Sequence, residues 1–202
     1  MKPGEVISVQ HDNVRRGLPK ERAKRADGTR TAGRPAVWTA SPTQDFEAPQ
    51  FWGAYPNGFL AWACRAMRCH RRDVVHLCSG SLPHGEGALR VDIRPEASPD
   101  LVADCRALPL ETASAAAVMI DPPYSVEYAT DLYGTEYPRP SALLSEACRI
   151  AKPGAPIGFL HFLVAMPPAG AGIEACYGVT TGPNYRIRAF TVFRKSQAEL
   201  RL

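Results

Sequence analysis

Short apolar runs that stop on polar residues recur from residue 73 to residue 164. The runs are 73–79 (DVVHLCS), 88–93 (ALRVDI), 101–105 (LVADC), 115–120 (AAAVMI) and 157–164 (IGFLHFLV). Runs of this length predict strands buried on both faces, as in a parallel sheet, although periodicity alone does not separate such a run from a buried helix. Two stretches carry the helical period instead. One is predicted from an N-cap at Asn57 to about His70, with Phe59, Leu60, Ala63, Ala66 and Met67 as its apolar stripe. The other is predicted over 141–151, with Pro140 in its first turn and Lys152-Pro153-Gly154 ending it. Residues 173–180 and 185–194 alternate around Gly182-Pro183-Asn184, as a terminal β-hairpin would.

The run 115–120 ends on Asp121, followed by Pro122, Pro123 and Tyr124. The two prolines fix φ and remove two backbone donors, so neither sheet nor helix continues through them. A carboxylate is thereby held at the carboxyl end of a strand, where open α/β sheets bind their ligands. The plainer reading is a strand followed by a proline turn that Asp121 caps. The residues at the other strand ends weigh against it.

DPPY at 121–124 resembles the catalytic motif of the S-adenosylmethionine-dependent amino methyltransferases, above all the DNA adenine and cytosine amino methyltransferases. The resemblance implies a Rossmann-like class I methyltransferase fold: a three-layer α/β sandwich, mostly parallel, whose last strand is antiparallel. It also implies roles. Asp121 and the Pro122 carbonyl would draw the hydrogens of a base amino group out of plane, with Pro123 completing the turn. Tyr124 would stack on a base taken out of its helix, at about 1–3 kcal/mol per stacked base. For the cofactor, the resemblance puts the methionine portion at the turn Cys78-Ser79-Gly80, with Phe51, Tyr55 and Pro56 lining its end. Asp92, beside Ile93, would take the ribose hydroxyls. Asp104, beside Cys105, would face the adenine amino group. CRIAKPG before the apolar run at 157–164 matches the same superfamily.

The spacing departs from that fold in one respect. Only LPHGEG separates Ser81 from Ala88, and 94–99 and 106–114 are similarly short, whereas a parallel crossover usually needs a dozen residues or more. The helices between the first strands must therefore be lost or reduced. Residues 125–139 form a polar stretch with three tyrosines, expected as a loop covering the substrate pocket. His161, in an apolar run, reads as a core or rim residue rather than a base.

Charge adds one feature. Residues 15–34 carry eight Lys or Arg and two acids, 8 − 2 = +6, against +4 for the whole chain. This predicts a basic, unstructured arm over 1–36, a methyltransferase domain over 37–195 and a tail over 196–202; the arm is either a solvated tail or a binder of nucleic-acid phosphates. The six cysteines form no CxxC pair and the five histidines do not cluster with them, so free thiols are expected and no metal site. No apolar run reaches membrane-spanning length and the first residues lack the apolar core of a signal peptide, so a cytoplasmic protein is expected, without a membrane partner. The leading expectation is methyl transfer to a base amino group, adenine in DNA foremost. A ribosomal RNA base amino methyltransferase and an inactive nucleic-acid or cofactor-binding module remain open. Oligomeric state, target sequence and any specificity subunit are not readable.

Overall fold

The computed structural model describes residues 55, 56, 58–180 and 186–197, together with two strands at Ile7–Val9 and Ala36–Thr39. In chain order the elements are β1 (Ile7–Val9), β2 (Ala36–Thr39), α1 (Phe59–Met67), β3 (Val74–Leu77), β4 (Leu89–Asp92), β5 (Leu101–Val102) and β6 (Ala117–Ile120). They continue with α2 (Pro140–Ile150), β7 (Pro156–His161), β8 (Ala171–Thr180) and β9 (Arg188–Lys195). The nine strands among the described residues join one sheet in the order β1-β2-β8-β9-β7-β6-β3-β4-β5. Every pairing is parallel except those of β9, which runs antiparallel to both β7 and β8. The mostly parallel α/β sheet with an antiparallel last strand is the one expected. The basic segment 15–34, Phe51, Asn57 and the hairpin turn at 182–184 lie outside the described residues.

Alternation along the central strands builds two cores. Val75, Leu77, Val118, Ile120, Ile157 and Phe159 pack on the Leu143, Leu144 and Ala147 face of α2. Val74, Ala117, Met119, Leu160, Phe190 and Val192 pack on Phe59, Ala63 and Met67 of α1. A helix lies on each side, giving three layers. Gly158 is required at the second contact, because a methyl group there would stand 2.7 Å from both Met67 Sδ and Phe190 Cζ.

Several boundaries differ from the sequence expectations. α1 enters through Gly58 at φ 78°, a conformation open to glycine, with no side-chain cap, and ends at Arg68 rather than near His70. Trp62 joins the buried face, edge-on to Tyr177 at 5.2 Å between ring centroids. Two of the strands, β1 and β2, begin within the segment read as an arm. The stretch after DPPY is not all loop, since Tyr128–Leu132 forms a π-helical turn.

Among the described residues no α-helix connects β3 to β4, β4 to β5 or β5 to β6, as the short spacings required. Arginines hold the loops that stand in for them. Arg90 is buried to 3% exposure and donates to the carbonyls of Leu82 and Ser98 and to both carboxylate oxygens of Asp100. Arg149 of α2 donates to the carbonyls of Leu108 and Leu110 and to Glu146, which accepts the Leu108 N–H. Backbone groups that a helix would have paired internally are thus paired by side chains.

Candidate functional site

The site lies at the carboxyl ends of the parallel strands. Leaving β3, Cys78 takes φ 56° and Gly80 φ 52°, which turns the chain sharply back. The Gly80 N–H then donates to Asp92 Oδ2 at 2.8 Å, joining the glycine turn to the end of β4. The other oxygen of Asp92 accepts from the Arg94 backbone N–H at 3.0 Å, and Asp104 Oδ1 accepts from the Arg106 N–H at 2.8 Å. Both acids therefore close Asx turns two residues long, with an arginine at the third position. Arg106 pairs with Asp104 through its side chain as well, which holds that carboxyl below the usual range.

These strand ends surround a cleft open to solvent. Cys78, Gly80, Asp92, Ile93, Asp104, Cys105, Asp121 and Pro123 all line it, so most of the sequence-selected residues converge there. Its opposite wall comes from the stretch after DPPY: Tyr133, Thr135, Glu136 and Pro138, with Leu143 of α2. Arg94 lies over the Tyr133 ring at 4.8 Å, and Arg106 donates to Glu136 at 2.7 Å. Part of the segment expected over a substrate pocket is thus strapped across this cleft. The sequence reading passed over Arg94 and Arg106, although the repeated D-x-R at two strand ends (Asp92-Ile93-Arg94, Asp104-Cys105-Arg106) is a visible signal.

Tyr55, Pro56, Ser79, Pro122 and Tyr124 stand outside that lining. Tyr55 stacks on Phe59 at 5.6 Å. Its hydroxyl and the Ser79 hydroxyl are buried without a hydrogen-bond partner among the described residues. Burial, followed by the charge of Asp121 and by Cys78, pushes the Tyr55 phenol well up, which puts it within electrostatic reach of both groups. Pro122 is buried.

Asp121 joins the two halves of the site. It follows β6, and its carboxyl is pushed up to about 6 by burial, against the Tyr124 hydrogen bond and the charge of Arg188, which lower it. The Tyr124 hydroxyl donates to Oδ1 at 2.6 Å, and Arg188 Nη1 donates to that hydroxyl at 3.3 Å. Oδ2 has no hydrogen bond among the described residues. On this far side the Tyr124 ring meets Phe162 at 4.5 Å and His161 at 5.4 Å. Burial brings His161 down to about 4, so its imidazole is neutral at pH 7, in keeping with a core residue. Phe162, Arg186 and Arg188 were not selected from sequence. They belong to different strand ends, and nothing in their spacing connects them with DPPY.

No metal-holding cluster of His, Cys, Asp or Glu occurs among the described residues, and no helix there is long and apolar enough to cross a membrane.

No family model and no curated protein matches the sequence. Solved structures do resemble the fold. TrmN from Thermus thermophilus superposes with a TM-score of 0.51 at 19% identity, over 71% of this chain and 50% of that one, so the chain spans about half the length of that protein. A SAM-dependent methyltransferase from Aquifex aeolicus has a TM-score of 0.42 at 14% identity, covering 67% of this chain and 88% of its own. With its sheet order and single antiparallel strand, the chain has the Rossmann-like class I methyltransferase fold.

Proposed function

We propose that the protein transfers a methyl group from S-adenosylmethionine to an exocyclic amino group of a nucleobase, adenine N6 in DNA foremost. One observation carries the reading. Asp121 belongs to the cleft wall with Gly80 and Asp92, while the same carboxylate is bonded to Tyr124 on the far side. A group bound in the cleft and an acceptor stacked on Tyr124 would meet there.

The cleft suits S-adenosylmethionine in its chemistry. Asp92 Oδ2 can accept a ribose hydroxyl in addition to the Gly80 N–H, whereas Oδ1 already takes the Arg94 N–H at 3.0 Å and its Nε at 3.4 Å. At the methionine end the lining supplies Cys78 and Gly80, while the buried Tyr55 and Ser79 hydroxyls stand outside it. Ile93, Tyr133, Pro138 and Leu143 offer apolar walls for the adenine ring. Asp104 fits less simply than expected, since Arg106 already occupies both its oxygens; an adenine amino group would use a remaining lone pair.

The cofactor supplies an electrophilic methyl on a sulfonium. The chain's own residues prepare the acceptor. A base amino nitrogen has its lone pair delocalised into the ring, and hydrogen bonds to Asp121 Oδ2 and the Pro122 carbonyl draw it towards tetrahedral geometry. The bonds strengthen as positive charge develops on nitrogen, so they act mainly on the transition state. The basic segment 15–34 adds phosphate affinity without sequence information.

The test is incubation with methyl-labelled S-adenosylmethionine and, separately, DNA and RNA, followed by nucleoside analysis. Label in N6-methyladenine of DNA is expected. Label in RNA alone would transfer the reading to an RNA base amino methyltransferase. With active substrate in hand, Asp121→Ala should retain cofactor affinity and lose transfer. Full transfer in that variant, or no label in either nucleic acid, overturns the assignment.

A further inference from the structure

Beyond Asp121, the far side of the site holds an aromatic shelf edged by arginine. Phe162, in the bend after β7, has the Tyr124 ring at 4.5 Å and the Tyr128 ring at 6.4 Å. Arg186, two residues before β9, lies over the same Phe162 ring at 5.4 Å. Three chain segments distant in sequence thus meet at one point beside the DPPY tyrosine. The Tyr124 and Phe162 rings are too close to admit a base between them, since a sandwiched base needs about twice the stacking distance of ~3.5 Å. Their planes are inclined at 50°, so they form a corner: a base lying on the Tyr124 face has the Phe162 ring at its side.

The two arginines at this edge differ. Arg188 is half-buried and bonded to the Tyr124 hydroxyl. Arg186 is exposed, and no carboxylate among the described residues pairs with it. The Arg186 guanidinium sits over the Phe162 ring and is exposed to solvent, so a phosphate can reach it, and a guanidinium takes a phosphate in a bidentate manner. Stacked aromatics beside unpaired cations are how single-stranded nucleic acid is held, because every base has a face and every link a charge.

We propose that Phe162 and Arg186 form the strand-binding half of the substrate site, Phe162 walling the side of a base that lies on Tyr124 and Arg186 taking the backbone phosphate of the target nucleotide. The substrate is then a nucleotide within a strand, out of its duplex stack, and not a free nucleoside. This rests on the proposed transfer to a nucleobase amino group and narrows its substrate class.

The experiment measures binding of a short single-stranded DNA containing adenine by fluorescence anisotropy across salt concentrations. Methyl transfer to that strand and to free deoxyadenosine is followed in parallel, for the wild type, Arg186→Gln, Arg186→Lys and Phe162→Ala. In Arg186→Gln the KM for the strand should rise about tenfold with kcat within about twofold, and the slope of log K against log salt should fall by about 0.7, one phosphate's share on a single strand. Arg186→Lys should restore the slope, and transfer to free deoxyadenosine should be weak and indifferent to Arg186. Phe162→Ala should weaken strand binding about tenfold without changing the slope. If the wild type methylates the strand while Arg186→Gln keeps its KM and slope, or if free deoxyadenosine serves as well as the strand, this inference fails and the proposed reaction stands. If the wild type methylates neither, the proposed reaction fails and takes this inference with it.

Discussion

Removing one hydroxyl, in Tyr124→Phe, isolates the electrostatics of Asp121 from the stacking of the ring. The hydroxyl donates to Asp121 Oδ1 at 2.6 Å and lowers the pKa of a carboxyl that burial has pushed up to about 6. A hydrogen bond to a charged group contributes roughly 1.5–3 kcal/mol, and one pKa unit is about 1.36 kcal/mol. Loss of the bond should therefore raise the Asp121 pKa by about 1–2 units. In the proposed reaction only the carboxylate accepts the amino hydrogens, so transfer should rise with pH through that pKa, and the acidic limb should move from near 6 towards 7 or above. At pH 6 a one-unit move costs about fivefold, from one half ionised to roughly one eleventh, while at pH 9 the rate is nearly unchanged. A pH–rate profile of kcat checks this, alongside a carboxyl titration followed by NMR on 13C-aspartate protein, which needs no turnover. A limb that stays in place, or a loss of activity equal at every pH, would refute the coupling of Tyr124 to Asp121.

Asp121 also links function to stability. Its folded pKa, near 6, lies above the unfolded value, so the fold is favoured with the acid protonated, and that contribution is lost as pH rises through the window from about 4 to 6. Asp121→Asn should gain up to about 3 kcal/mol in urea unfolding at pH 8 and little at pH 4; a neutral or opposite result at pH 8 would mean the carboxylate is better solvated than its burial implies. Asp92→Ala should weaken S-adenosylmethionine binding about ten- to a hundredfold by calorimetry, because it leaves polar groups unpaired at ~1–3 kcal/mol; an unchanged affinity would remove Asp92 from the ribose. Gly158→Ala should cost about 1–3 kcal/mol by forcing apart Met67 and Phe190, whose side chains are buried on both sides of the contact. Arg90→Met should lower stability by about 1–3 kcal/mol, since it leaves the carbonyls of Leu82 and Ser98 without their side-chain donor while Asp100 keeps the residue-90 backbone N–H and His84; an unchanged urea midpoint would mean the 78–100 loops hold without it.

The sequence by itself determined the strands of the central sheet and what stands at their ends. Apolar runs of strand length bounded by polar residues have few other solutions, and the prolines after Asp121 leave the carboxylate at a strand terminus whatever the rest of the chain does. The shortage of residues between β3, β4, β5 and β6 likewise dictated that helices would be missing, because chain length limits reach. Gly80, Asp92, Asp104 and Asp121 came together in one cleft because parallel strands bring their carboxyl ends to the same edge. Only the tertiary structure decided the remainder. The side chains that stand in for lost helices, Arg90 and Arg149, read in sequence as ordinary surface charges, since a hydrogen bond to a distant carbonyl has no local pattern. The segment after DPPY crosses to the cleft because Arg94 and Arg106 hold it there, and that pairing spans 39 residues for Arg94 and Tyr133 and 30 for Arg106 and Glu136. Arg186 meets Phe162 and Arg188 meets Tyr124 because β9 runs antiparallel beside β7, which brings the amino end of β9 to the edge where the parallel strands finish.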